Sequence, residues 1–134
     1  MLGDLIYEAQ GKLTGTRVLD AEDLKMESSF TAQGKIKGVE VTEMGTFWSA
    51  MRPGGVLYGE DQAILMTKDG DVAPAQPRGI GHYTGPGKVA FKGAAIYGTN
   101  CTGKLSFLNN FVMMFEADVD QINGTISIKG WEWK

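Results

Sequence analysis

A few side chains in this 134-residue chain have both the chemistry and the setting of a catalytic or binding group. Glu60 follows Tyr58 by two residues, so both side chains point to the same face if the segment is a strand. The same spacing relates Glu116 to Asp118. A carboxyl group that points into an apolar barrel acquires a raised pKa and can act as a general base. A carboxyl group on the outside is simply solvated, and this is the interpretation we favour for Asp61 and Asp118.

The only histidine and the only cysteine carry weaker signals. His82 lies in Gly79-Ile80-Gly81-His82-Tyr83, where the glycines would let a ligand or a neighbouring backbone approach. A half-buried strand histidine satisfied by hydrogen bonds is the more ordinary explanation. Cys101 has no CxxC partner, and there is no His/Cys cluster and no Gly-x-Ser-x-Gly elbow. We therefore expect no metal site and no cofactor.

Apolar residues could add the walls of a small pocket. Methionine adapts to irregular cavities, although such side chains are most simply part of a core. The candidate ligand-binding residues are Tyr58, Glu60, Met66, His82, Tyr97, Met113 and Glu116.

Glycines divide the chain into strand-length apolar segments, which predicts the elements that would position these residues. Turns are predicted at Arg52–Gly55, at Lys68–Asp71, and at Asn123-Gly124 as a type I′ hairpin. About eight strands of regular spacing predict an all-β fold in one domain, residues 1–134. A closed antiparallel barrel removes the exposed edges of a sheet, so we favour it over a sandwich.

Two segments fit the strand pattern less well. Pro74 and Pro77 predict that Ala73–Gly81 begins as a loop or as the edge of a sheet. A short helix is conceivable at Gly103–Asn110, before a strand that is apolar on both faces.

Composition excludes some classes of function. The net charge is −3 and the basic residues are scattered singly, so the sequence has no electrostatic footprint for nucleic acid. No window is long and apolar enough to span a bilayer as a helix, and the first residues do not form a signal peptide. With one cysteine, the chain is expected to be cytoplasmic, without nucleic-acid or membrane partners.

Several motifs carry a resemblance. Leu57-Tyr58-Gly59-Glu60, Leu65 to Gly70, Phe91 to Tyr97 and the final Trp131-Glu132-Trp133-Lys134 resemble a family of small uncharacterised bacterial and archaeal proteins that end in Trp-Glu-Trp-Lys. The match covers about residues 56 to 134 and implies no activity.

The segments Ser29–Gly38 and Gly93–Tyr97 are more distantly similar to allene oxide cyclase-like barrels. This similarity implies a calycin-like, eight-stranded antiparallel barrel that can hold an apolar ligand, often in an oligomer. The catalytic pattern of the cyclases is not identifiable in this sequence.

These observations leave three hypotheses about function. The first is a small barrel that binds an apolar or amphipathic small molecule, as a homo-oligomer. The second is an isomerase or cyclase that uses an interior carboxylate, Glu60 or Glu116, with Tyr58 or His82. The third is a structural or interaction module, which exposed Trp131 and Trp133 side chains would favour.

Overall fold

Eight antiparallel strands, each hydrogen-bonded to the next in sequence, form a closed barrel in the computed structural model, which describes residues 1–134. The last strand pairs with the first, so the sheet has no free edge. The strands are β1 (Leu2–Asp20), β2 (Lys25–Ile36), β3 (Val39–Arg52), β4 (Val56–Met66), β5 (Val72–Gly85), β6 (Lys88–Tyr97), β7 (Val112–Asp120) and β8 (Thr125–Trp133). The predicted all-β fold, an antiparallel barrel of eight strands, is confirmed.

Strict alternation along the strands determines which side chains enter the barrel. In β4, for example, Leu57, Ala63 and Leu65 are buried, whereas Gln62 and Ile64 between them are exposed. The buried apolar residues of all eight strands form one core. Any polar residue that shares the phase of these positions is therefore placed inside the barrel.

Several inward positions are glycines, and they let the wall bend and the large rings fit. A Cβ atom at Gly93 would lie 1.8 Å from the carbonyl oxygen of Arg78, which is impossible without moving the backbone. At Gly45 and Gly81 a Cβ atom would lie 2.6 Å from the rings of Phe30 and Phe91. Glycine is thus required where strands approach closely or where an aromatic ring covers the strand.

One end of the barrel is closed by a short helix of about two turns between β6 and β7. The short helix considered at Gly103–Asn110 is present as a 3-10 helix at Gly103–Leu108. Its Leu105 and Leu108 side chains are fully buried. The backbone N–H of Lys104 donates to Oδ2 of Asp71, which ties the helix to the β4–β5 turn. No helix in the structure is long and apolar enough to cross a membrane.

The strand β5 departs from the sequence-based expectation. Ala73–Gly81 is neither a loop nor an edge, because it lies within β5 and pairs with both β4 and β6. Pairing with β4 is interrupted, however, between Glu60↔Arg78 and Ala63↔Ala75. Pro77 lies in this interruption, and a proline has no N–H to donate to a neighbouring strand. We call the unpaired stretch, residues 61–62 and 76–77, the seam.

The turn before β8 also differs from the prediction. A two-residue type I′ turn at Asn123-Gly124 would need positive φ at both residues, but only Gly124 has it, at 69°. Instead, β7 and β8 are joined by the four residues 121–124. Asp120 supports this loop, since its Oδ1 accepts the backbone N–H groups of Ile122 and Asn123. The turns predicted at Arg52–Gly55 and Lys68–Asp71 are present.

Candidate ligand-binding site inside the barrel

A cavity of about 70 Å³ lies within the barrel and extends to the seam. Most of its walls are apolar, and they include the rings of Phe30, Phe47, Phe91 and Phe115. A barrel that is filled completely by its own side chains leaves no room for a ligand. One water needs roughly 10–15 Å³, so the space inside this barrel is several times larger.

Glu43 is the most deeply buried charged residue in the cavity wall. It is 5% exposed, and it shares the inward phase of Val41 in β3. The Tyr7 hydroxyl donates a 2.6 Å hydrogen bond to its Oε1 atom, which is the only hydrogen bond that the carboxyl group makes. Burial raises the pKa of Glu43 to about 7, although the bond from Tyr7 lowers it.

Asp61 is a second inward carboxyl group, and it lies at the seam. As a residue it is only partly buried, but its Oδ1 atom is buried without any hydrogen-bond partner. Burial and then the charge of Glu43 raise the pKa of Asp61 to about 8, against a lowering effect of the backbone N–H of Gln62. A buried polar atom without a partner is uncommon in native structures and calls for an explanation.

Tyr97 completes the polar part of the interior. It is 3% exposed and lines the same cavity. Burial, and then the charge of Glu43, raise the pKa of Tyr97 well above its ordinary value. Tyr7 is affected in the same direction by the same two causes. Both phenols therefore stay protonated at any pH at which the protein would work, and both can donate hydrogen bonds.

The structure brings only two of the seven candidate residues to this cavity by their side chains. Tyr97 and Met113 are buried and line it. Strand alternation places the side chains of the other five residues on the outer face of the barrel. The prediction that Glu60 or Glu116 could be an interior catalytic carboxylate is therefore wrong. These five residues are Tyr58, Glu60, Met66, His82 and Glu116.

The outward residues Tyr58 and Glu60 form a small cluster of their own. The Tyr58 hydroxyl donates a 2.6 Å hydrogen bond to Oε2 of Glu60, and this bond raises the pKa of Tyr58. Arg52 lies over the Tyr58 ring at 4.1 Å, and Trp48 packs beside it at 5.6 Å. The pair of Tyr58 and Glu60 is real, but it lies on the outside of the wall.

Sequence reasoning missed Glu43 and assigned Asp61 to the solvent. The signal that could have found them is phase, because a carboxylate in the register of an apolar alternation must face the core. Glu43 follows Val39 and Val41 at intervals of two. Asp61 falls in the same way between Leu57 and Leu65.

Acidic, histidine and cysteine side chains nowhere form a group of three or more that could hold a metal ion. Cys101 is buried near the closed end, and burial raises the pKa of its thiol.

The polar groups that the cavity offers to a ligand are carboxyl and phenol groups, and they lie among apolar walls.

Solved structures share this architecture over the whole chain. A protein with unknown function from Clostridium acetobutylicum matches with a TM-score of 0.79 at 10% identity, over 98% of both chains. A conserved protein of unknown function from Rhodopseudomonas palustris matches with a TM-score of 0.76 at 13% identity, over 98% of this chain and 97% of that one. At such identities the likeness shows the fold alone.

Comparisons with family models and with curated proteins found no relative. No family model matches the chain, so the resemblance to proteins that end in Trp-Glu-Trp-Lys gains no support beyond the shared barrel. No curated protein matches it either. The class defined by fold and interior is an eight-stranded antiparallel barrel of unknown function with two inward carboxyl groups.

Proposed function

We propose that the barrel binds a small, largely apolar molecule in its interior. The observation that carries this proposal is the unpartnered Oδ1 atom of Asp61 in the wall of an apolar cavity. Leaving such an atom unpaired costs about 1–3 kcal/mol, and a ligand that donates a hydrogen bond to it would recover that cost. Ligand sites have this composition, with apolar walls and a few placed polar groups.

The size of the cavity restricts the part of the ligand that lies inside it. A cavity of about 150 Å³ holds benzene, which has six heavy atoms, so 70 Å³ corresponds to about three heavy atoms, and a ligand of about four fills the cavity and reaches the seam. The cavity wall includes Pro77 in the seam, and the paired Gly59 and Gly79 next to it. A longer ligand would extend along this side of the barrel.

Native mass spectrometry of freshly purified protein tests the proposal. We expect an added mass that disappears when the protein is denatured. Ala95→Leu should remove it, because Ala95 is buried in the cavity wall. Ala94→Leu is the matched control, since the neighbouring residue faces outward.

The outcomes separate clearly. Retention of the added mass by wild type and Ala94→Leu, but not by Ala95→Leu, would support an interior site. Equal retention by all three proteins would contradict it. No added mass in any protein, together with no shift of the Met113 methyl resonance when isopropanol is added, would also contradict it.

A second candidate function is proton transfer by an interior carboxylate. Buried carboxyl groups whose pKa values lie near neutrality are typical of general acids and bases, and Glu43 and Asp61 have this property. Acetone has four heavy atoms and an acidic C–H, which makes it a suitable probe. An isomerase of this kind should accelerate deuterium exchange into acetone in D₂O, and Asp61→Asn should abolish the acceleration. Exchange no faster than in buffer would contradict this function.

The homo-oligomer expected from the sequence stays a prediction. It is supported by exposed apolar side chains on the outer face: Met44 (51% exposed) and Ile64 (46%), which are cross-strand neighbours on β3 and β4, and Ile96 (51%) on β6. The same mass spectra report the number of chains in each particle.

The third hypothesis, an interaction module, has less support. It would be favoured by two exposed tryptophans, but Trp133 is 54% exposed and Trp131 is only partly exposed.

A further inference from the structure

We propose that the molecule bound in the barrel is a small amine, held as its ammonium ion between Glu43 and Asp61, with its apolar part against the phenylalanine rings. This inference rests on the proposed function and names the chemical class of its ligand. It is argued from the charges, the free acceptors, the rings and the volume of the cavity.

The charges of the interior have one sign. The inward polar side chains of the cavity wall are two carboxyl groups and two phenols: Glu43, Asp61, Tyr7 and Tyr97. Two further charged residues, Glu60 and Arg78, border the cavity from the outer face, where they are a cross-strand pair of opposite charge. No basic side chain points inward to neutralise the two carboxyl groups. An anionic ligand would be repelled, whereas a cation would supply the missing counter-charge.

The hydrogen-bonding capacity of the interior favours a donor. A carboxylate has about four acceptor positions, but Glu43 uses one of them, for Tyr7. Asp61 Oδ1 has no partner, although the atom is buried. An ammonium group has three donors and no acceptor, so it complements these free oxygen atoms.

The aromatic rings provide the second part of the site. Phe47 lies 6.1 Å from Phe30 and 6.2 Å from Phe91, between ring centroids, and all three rings line the cavity. Ring faces attract a cation that lies within about 6 Å, and the attraction is stronger when water is excluded. A short alkylammonium ion would therefore find acceptors for its N–H groups and ring faces for its charge in the same cavity.

Three probes of about four heavy atoms, which fill the cavity and reach the seam, test the inference. They are isopropylamine, isopropanol and acetate, which are cationic, neutral and anionic at pH 8.5. Each would be titrated into the full chain, with binding followed by the ¹³C-methyl resonance of Met113 in the cavity wall. Ligands of this size reach millimolar dissociation constants in favourable cases.

We expect isopropylamine to bind about tenfold more tightly than isopropanol at pH 8.5, and acetate not to bind. Binding of the amine should weaken from pH 8.5 to pH 5.5, because protons then compete for the two carboxyl groups while the amine stays charged. Asp61→Asn and Glu43→Gln should each remove the preference for the amine. Both variants should still bind isopropanol, which shows that the barrel remains folded. Asp118→Asn removes an outward carboxylate and should keep the preference.

Two results would overturn the inference in different ways. If isopropanol binds as tightly as isopropylamine, or if both interior variants keep the preference, the ligand is not an amine, but the proposed function stands. If none of the three probes moves the Met113 resonance, the interior does not bind small molecules and the proposed function fails as well.

Discussion

The Tyr7 hydroxyl on β1 donates a 2.6 Å hydrogen bond to Oε1 of Glu43 on β3, across the inside of the barrel. No other hydrogen bond between two side chains joins strands that are not neighbours. Tyr7 is 1% exposed and Glu43 is 5% exposed, so water cannot readily replace either partner. The bond thus fixes the orientation of the interior carboxyl group and leaves its second oxygen free.

Tyr7→Phe should therefore destabilise the barrel by about 1–3 kcal/mol, because it leaves a buried acceptor unpaired. The loss should be larger at pH 8.5 than at pH 5, since the bond from Tyr7 lowers the pKa of Glu43 and stabilises its charged form. Urea unfolding at the two pH values measures both effects. Tyr83→Phe is the control, because Tyr83 is 43% exposed. Equal losses for the two variants would contradict a special role of the Tyr7 bond.

Asp61 should make the protein less stable as the pH rises. Its pKa is raised by folding to about 8, so the folded state retains a proton that the unfolded chain loses near pH 4. The unfolding free energy should then fall between about pH 4 and pH 8, by an amount on the order of a few kcal/mol. Asp61→Asn should make this dependence shallower, leaving the part that comes from the raised pKa of Glu43, and Asp118→Asn should not change it. Parallel curves for wild type and Asp61→Asn would show that Asp61 titrates normally.

Gly93 should tolerate no side chain, whereas Gly15 should accept one. A Cβ atom at Gly93 would overlap the Arg78 carbonyl, and nothing lies within 4 Å of the corresponding position at Gly15. We expect Gly93→Ala to lower the melting temperature by several degrees or to prevent folding. Gly15→Ala should be neutral or slightly stabilising, since it restricts the unfolded chain. Thermal unfolding of both variants checks this, and similar melting temperatures would contradict the close approach.

The 3-10 helix should stabilise the barrel through its two buried leucines. Leu105→Ala should cost about 2–5 kcal/mol of unfolding free energy, because the side chain is fully buried and leaves a void. Ser106→Ala changes an exposed neighbour in the same turn and should cost little. Chemical denaturation compares them, and a loss below 1 kcal/mol for Leu105→Ala would mean that the helix does not close the core.

Turn chemistry and strand alternation were sufficient to predict the barrel from the sequence. The position of β5 was predicted wrongly because proline cannot donate a hydrogen bond to a neighbouring strand, and Pro77 avoids that cost by lying in the seam, where β4 and β5 are not paired. The form of the last turn was mistaken because Asp120 provides hydrogen bonds that Asn123-Gly124 alone does not reveal.

The site was predicted less well than the fold. Tyr58 and Glu60 do contact each other, as their spacing implies, but the phase of β4 places both outside. Glu43 had no chemical motif around it, and its partner Tyr7 lies 36 residues away in sequence. Closure of the barrel brings the two residues together, and this long-range contact could not be read from local patterns.

Two methionine methyl groups allow the most direct test of the interior site. Met113 is 3% exposed and lines the cavity, whereas Met44 is 51% exposed on the outer face of β3. With ¹³C-methyl methionine in the full chain, titration with isopropanol or isopropylamine should shift the Met113 resonance to saturation and leave that of Met44 unchanged. An unshifted Met113 resonance, or shifts of both methyl groups that grow linearly without saturation, would contradict a ligand site inside the barrel.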